Sequence, residues 1–353
     1  MDIIFINGKF LSQQITGVQR YAREIVKALD RFHFRWAVQM ILLVPQKYDE
    51  SYELSNIEIR PCGVFEGTIW EQLELPYHAR GGFLLNLCNC APVVKSEQTL
   101  TIHDAATAAV PDTYSLPFRL WYGFMHRLLG KRLEHIFTDT DFSRQELHKY
   151  YQIPLHKLHV VHLGIDHIKR VQNEQEGSVS FHLPAKKFVL AVSSVKRQKN
   201  FRLILQAAAK RPELIFVIVG SKENKIFQQE TLGTHGRNVI FTGYITDEQL
   251  VYLYHQAGCF VFPSLYEGFG MPPLEAMSCG CPVVVARKEP LMEVCGEAAA
   301  YCDPHDPDNL LATIDAIFAD DVYRKQLTRK GLERADEFTW DRAAGQIMET
   351  LQR

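Results

Sequence analysis

The second half of the chain constrains the fold most. Five short apolar runs recur there, FVLAVSS, ELIFVIVG, NVIFTGY, CFVFPS and CPVVVA, most of them separated by helix patterns such as DEQLVYLYHQA. Continuous apolar runs of this length suit strands covered on both faces of a parallel sheet, with amphipathic helices as the crossovers. The first half repeats the alternation. IIFIN (3–7) leads through a loop into a helix where Thr16 and Gln19 stand at capping-box spacing and Val18, Tyr21, Ala22, Ile25, Val26 and Leu29 form one apolar stripe. TLTIHD (99–104) reads as a buried strand with a polar end. IFTDTDFSRQEL repeats the design, with Ser143 and Glu146 as a second capping box, and LHVVHLGID (158–166) reads as the last strand of this half. The polar stretch HIKRVQNEQEGSVSFHLPAKK (167–187) has little hydrophobic period and reads as a linker.

The expectation is therefore an α/β chain of two Rossmann-like domains facing a cleft: residues 1–168, a linker at 169–186, and residues 187–337. A length of 353 residues agrees with two domains. In doubly wound sheets ligands sit beyond the carboxyl ends of the strands, so the cleft is the expected site. A formal charge of -2 gives no basic field for nucleic acid. MDIIFINGKF reads as a first buried strand, not a signal peptide, and no apolar run approaches the roughly 18–20 residues that span a bilayer. Eight cysteines without an export signal suggest reduced thiols in the cytoplasm. The C-x-C pairs Cys88/Cys90 and Cys279/Cys281 lack a second pair at zinc spacing.

SLYEGFGMPPLEAMSCG (264–280) carries the chemistry. Gly268 and Gly270 let backbone approach a ligand, Pro272 and Pro273 suit a first helical turn, and a helix start offers free amides to a phosphate. The dinucleotide fingerprint fails here. There is no third glycine, and the acid, Glu275, is read inside the helix's first turn rather than about 20 residues on. A carboxylate there either accepts ribose hydroxyls or merely complements the helix dipole.

E-G-F-G-M-P-P-L-E (267–275) resembles the E-x7-E signature of the retaining family-4 glycosyltransferases of GT-B fold. T-G-V-Q-R-Y (16–21), I-H-D (102–104), D-F-S-R-Q-E-L (141–147), L-G-I-D (163–166), V-S-S-V-K-R-Q-K-N (192–200), F-T-G-Y-I-T-D-E-Q-L (241–250) and F-T-W-D-R-A-A (338–344) resemble further segments of that family in the same order. The resemblance implies a closing helix, about 338–353, that returns to the first domain, an acceptor-side first domain and a nucleotide-sugar-binding second domain. It implies transfer of a hexose from a nucleotide-sugar, GDP-mannose slightly favoured, to a glycan or lipid-linked glycan of lipopolysaccharide, capsule or exopolysaccharide, with retention and without a cofactor or metal. By the same resemblance Glu275 holds the ribose, the Phe269, Gly270 and Met271 backbone holds the diphosphate and sugar, and Glu267 lies at the reacting centre. His103 faces the sugar, Gly17 lets backbone approach the donor, and Ile245 touches the base. Lys199 and Arg197 are the cations for the leaving diphosphate, Arg197 or Lys196 replacing an arginine that the family often has where Ser194 stands.

D-T-D (139–141) matches the metal-binding D-x-D of GT-A transferases, which need a cation at the diphosphate. Here it lies in a strand-to-helix turn, and the lysine loop already supplies charge. SLPFRLWYGFMHRLLGKRLEHI (115–136) mixes aromatic and basic residues as interfacial helices do, which admits a peripheral membrane contact as well as an ordinary core-facing helix. Two other readings keep the same donor site: a nucleotide-sugar epimerase, and a non-catalytic subunit that binds nucleotide-sugar.

Overall fold

The computed structural model describes residues 2–32, 35–174, 187–192, 197–220 and 237–352. The chain divides into two compact units, Met1–Gly164 with Thr339–Arg353, and Ile165–Phe338.

The first unit is a parallel sheet of β1 (Ile3–Asn7), β2 (Gln39–Val44), β3 (Glu58–Pro61), β4 (Phe83–Asn86), β5 (Gln98–Thr101), β6 (Ile136–Thr138) and β7 (Leu158–Val160). Its strand order is β3-β2-β1-β4-β5-β6-β7, so the order reverses between β1 and β4. Phe5, Ile41, Leu43 and Leu84 pack with Trp70, Leu75 and Ala79, and a second cluster places Leu100, Ile102 and Ile136 with Met125, Leu129 and Leu147. β3 reads EIRP, an exposed edge strand with few apolar residues and a proline, which is where a proline costs no ladder bond.

The second unit is a parallel sheet of β8 (Phe188–Val192), β9 (Ile215–Val219), β10 (Val239–Gly243), β11 (Cys259–Phe262), β12 (Val283–Ala286) and β13 (Ala300–Cys302). Its order, β10-β9-β8-β11-β12-β13, reverses between β8 and β11. Val189, Phe216, Ile218, Val261 and Val284 form its core with Ile204, Leu310, Ile314 and Ile317.

The segment expected as a linker begins with a helix, His167–Glu174, in which Ile168 is buried, and it groups with the second unit from Ile165 onward rather than from 187. Residues 175–186 of that segment lie outside the described residues. The last helix, Trp340–Leu351, belongs to the first unit and packs along the helix Gly17–Arg31, with Tyr21 and Trp340 ring centroids 6.0 Å apart.

Candidate active site

In the second unit, in the stretch that follows β8, Arg197–Lys199 forms a single 3-10 turn. Ser194 and Lys196 lie outside the described residues. The turn is fastened from both sides. Leu265 N donates to the Gln198 carbonyl at 2.7 Å, and the next residue, Asn200, in the left-handed region at φ 56°, donates from Nδ2 to the carbonyls of Pro263 and Pro304 at 3.1 and 2.7 Å. Lys199 Nζ consequently lies 2.6 and 2.8 Å from the two carboxylate oxygens of Glu267 and 5.3 Å from the Phe262 ring centroid. This lysine–glutamate pair stands beyond the carboxyl ends of β8 and β11, the strands between which the order reverses, and that crevice is where open α/β sheets bind ligands. Arg197 is exposed beside it.

After Glu267 the turn reaches Gly270, whose φ of 93° favours glycine and where a Cβ would fall 2.7 Å from Leu291 Cδ2. Phe269 is buried, its ring centroid 5.7 Å from that of Phe338. The helix Met271–Ser278 starts one residue before Pro272, so Glu275 is in its fifth position and not in its first turn as the sequence pattern implied. Dipole attraction fades within the first turn, so it does not account for a carboxylate only 7% exposed there. Polar neighbours do. Tyr254 Oη donates to Glu275 Oε2 at 3.3 Å, and His167 Nε2 is 3.4 Å from Oε1. Burial, reinforced by the Glu275 charge, pushes the Tyr254 hydroxyl well above its ordinary value and keeps it a donor. Ile245 is half-buried between β10 and the helix Asp247–Gln256.

In the first unit His103 follows β5 and Asp139 follows β6. The parallel register pairs Thr101 with Phe137, and two residues further on it brings His103 Nδ1 to 3.0 Å from both oxygens of Asp139. Nε2 is 3.2 Å from the Leu87 carbonyl, and the Tyr21 ring stands edge-on at 4.7 Å. Burial favours neutral imidazole, but the Asp139 charge and hydrogen bond, with Asp104 behind them, outweigh it and raise the His103 pKa. Asp139 and His103 both stand at strand ends in the sequence, but only the register of β5 and β6 pairs them. Asp141 of the same triplet is exposed, opens the helix Asp141–Tyr151 and pairs with Arg144, so the two acids serve separate partners. The cap of this helix is Thr140, whose hydroxyl accepts from Ser143 N at 3.0 Å, not the Ser143–Glu146 box, since the helix begins one turn earlier than that box requires. Gly17 is the exposed first residue of its helix, just after Thr16, whose N–H donates to Gln19 Oε1 at 3.2 Å. Among the described residues no group of three or more His, Cys, Asp or Glu is arranged to hold a metal, and no helix is long and apolar enough to cross a membrane.

Two doubly wound parallel sheets give the chain the architecture of the GT-B glycosyltransferases. The chain belongs to the group 1 glycosyl transferases, whose family model matches residues 174–334. It is 33% identical over 386 residues to the O-antigen chain mannosyltransferase B of Escherichia coli, covering 99% of this chain and 98% of that protein. It is 28% identical over 249 residues to the serotype-specific mannosyltransferase WbdA of Escherichia coli, covering 64% of this chain and 29% of that longer protein. Among solved structures it resembles HepE of Anabaena, determined with UDP and glucose, at a TM-score of 0.73 and 17% identity over 100% of this chain and 99% of that one. The sucrose-phosphate synthase of Thermosynechococcus elongatus gives a TM-score of 0.71 at 17% identity, over 99% of this chain and 98% of that one.

Proposed function

We propose that this glycosyltransferase moves mannose from GDP-mannose to a growing, lipid-linked surface polysaccharide, with retention at the anomeric carbon and without a metal. The observation that carries the reading is the Lys199–Glu267 pair at the carboxyl ends of β8 and β11. As the bond from the anomeric carbon to the diphosphate lengthens, negative charge grows on the leaving oxygens, and a fixed cation there lowers the barrier. Lys199 is that cation and Arg197 its exposed second. Glu267, within reach of Lys199, meets the sugar at the reacting centre. The backbone at Phe269, Gly270 and Met271 takes phosphate and sugar oxygens, Glu275 accepts ribose hydroxyls, and Ile245 meets the base. In the first unit Gly17 gives the donor close backbone approach, and His103 turns its Nε2–H from the Leu87 carbonyl to a sugar hydroxyl. Retention follows if the acceptor oxygen attacks from the face the diphosphate leaves, which needs no protein nucleophile. Mannose as the sugar, and a lipopolysaccharide-type acceptor, rest on the relatives named above.

The test is a thermal-shift panel of GDP, UDP, ADP, dTDP and CMP with and without EDTA, followed by transfer from radiolabelled GDP-mannose to a mannose-terminated lipid-linked acceptor. A ligand that binds the folded chain raises its melting temperature by mass action. GDP should do so with or without EDTA and lose the effect in Glu275→Ala. A shift that requires metal, or one seen with UDP alone, would sink the corresponding part of the proposal.

A further inference from the structure

The first unit has its own switch point, between β1 and β4, and a cavity of about 200 Å³ opens there among residues that follow both strands. Its floor is a second lysine–glutamate pair. Lys9, just after β1, sets Nζ 2.8 Å from Glu71 Oε2, with the two side chains only 12% and 2% exposed. Asn7 Nδ2 donates to the other oxygen, Glu71 Oε1, at 3.0 Å and to Asn86 Oδ1 at 3.0 Å, and Asn86 is held in turn by Gln98 and Thr99. Glu71 sits in a single π-helical turn, Trp70–Glu74, a distortion that recurs at functional sites. The flanking residues lock it. Trp70 Nε1 donates to the Cys62 carbonyl at 2.8 Å, and Gln72 Nε2 donates to the Ala91 carbonyl at 3.0 Å.

We propose that this pocket is a saccharide subsite, in which Lys9 and Glu71 together hold neighbouring hydroxyls of a neutral sugar at the end of the acceptor. The choice of ligand rests on the glycosyltransferase reading; the pocket itself does not. Charge, hydrogen-bonding capacity, lining and size decide the chemistry. The pair is neutral as a whole, so the pocket has no net charge with which to favour a phosphate. Its polar capacity is only partly used: an ammonium has three donors and a carboxylate about four acceptor positions, and a diol needs one of each kind. Gln13 and Gln19 stand at the wall with side-chain amides, and the half-buried Tyr122 adds aromatic surface suited to a sugar's C–H face. The volume lies below the roughly 300–1,000 Å³ of drug-sized sites, which fits one ring rather than an oligomer. A buried ion pair adds little to stability by itself, so its place in an open pocket points to a ligand.

Saturation-transfer NMR on the full chain, with methyl α-mannopyranoside and mannose 6-phosphate as probes, tests the assignment. The neutral glycoside should receive saturation from the wild type, and its affinity should fall about tenfold or more in Glu71→Gln, as expected when hydrogen bonds to a charged group are lost. The double variant Lys9→Met/Glu71→Gln leaves no unpaired buried charge and guards against misfolding, and a thermal melt checks both proteins. A glycoside signal unchanged in both variants, no signal in the wild type, or a preference for the sugar phosphate overturns the proposal. GDP shifts are followed in parallel. Glycoside binding that depends on Glu71 in a protein that ignores every nucleoside diphosphate keeps this subsite and removes the donor assignment instead.

Discussion

His103 shows how much a single contact decides. Its raised pKa means that protonated His103 stabilises the folded chain. That contribution is fully present below the ordinary imidazole value of 6.5 and is lost as pH climbs through the higher folded value. Asp139→Asn strips the compensating charge from a buried imidazolium, which costs about 3–5 kcal/mol for pairs of this kind. The gap in unfolding free energy between wild type and Asp139→Asn should therefore be widest below pH 6.5 and shrink as pH rises. Urea titrations at several pH values measure it; a gap that widens with pH contradicts the assignment. Lys199, proposed as the cation at the leaving diphosphate, offers the complementary case. Lys199→Met should lower kcat by about 10²–10³-fold, the usual cost of one group aimed at developing charge. Steady-state transfer assays read this, and an effect confined to the donor KM would reduce Lys199 to a binding contact. His103 was legible as a strand-end histidine, but Asp139 lies 36 residues away and only the register of β5 and β6 joins them. Lys9 and Glu71, 62 residues apart, left no local pattern at all.

At the scale of elements, what the sequence disclosed depended on how local the cause was. The second sheet was nearly all legible because its central strands are uninterrupted apolar runs. The sequence reading assigns no strand at β2, β3 or β4; β3 is an exposed EIRP edge and β4 is only FLLN. The Thr16–Gln19 box is legible because both partners lie within one turn, whereas D-T-D-F-S offers several capping residues and only the backbone selects Thr140 among them. The pattern points to the right helix for Glu275 but to its first turn, since two prolines hide the first position at Met271. The turn before it makes a direct test. Gly270→Ala forces a Cβ onto a φ of 93°, and although the Leu291 side-chain end can swing aside, the backbone strain persists. We expect a loss of about 1–3 kcal/mol in chemical denaturation together with weakened nucleotide binding. A variant with full stability and full binding would show that the turn does not need glycine. The helix Leu116–Arg132 buries Met125 and Leu129 yet leaves Leu116, Leu120 and Phe124 61%, 65% and 56% exposed, with Arg119 and Lys131 on the same helix. Such a face should bind anionic vesicles and ignore neutral ones. Co-sedimentation decides it, and the triple variant Leu116→Ser/Leu120→Ser/Phe124→Ser should stay in the supernatant.

For the molecule as a whole, the decisive fact is that the first unit is closed by the last residues of the chain. Trp340 is fully buried against the helix Gly17–Arg31, and Ile347 and Met348 continue the same face two turns on. The glycine of L-G-I-D has its reason here, since a Cβ on Gly164 would stand 2.2 Å from the Trp340 backbone nitrogen, where no side-chain rotation relieves it. A local reading explains the amphipathic pattern of the closing segment but not its destination, because the partner helix lies more than three hundred residues earlier in the sequence. The separation gives a prediction that distinguishes a unit from a neighbouring stretch of chain. Trp340→Ala removes one of the largest fully buried side chains and should cost the first unit about 3–5 kcal/mol. Hydrogen exchange should then show faster opening of β1 and the helix Gly17–Arg31, while β8, β11 and β12 keep their protection. Nucleoside diphosphate binding, proposed to rest mainly on the second unit's Lys199 and Glu275, should weaken far less than stability does. Equal loss of protection in both sheets would mean that the units unfold as one, and the damage from a single tryptophan would then reach the proposed donor site as well.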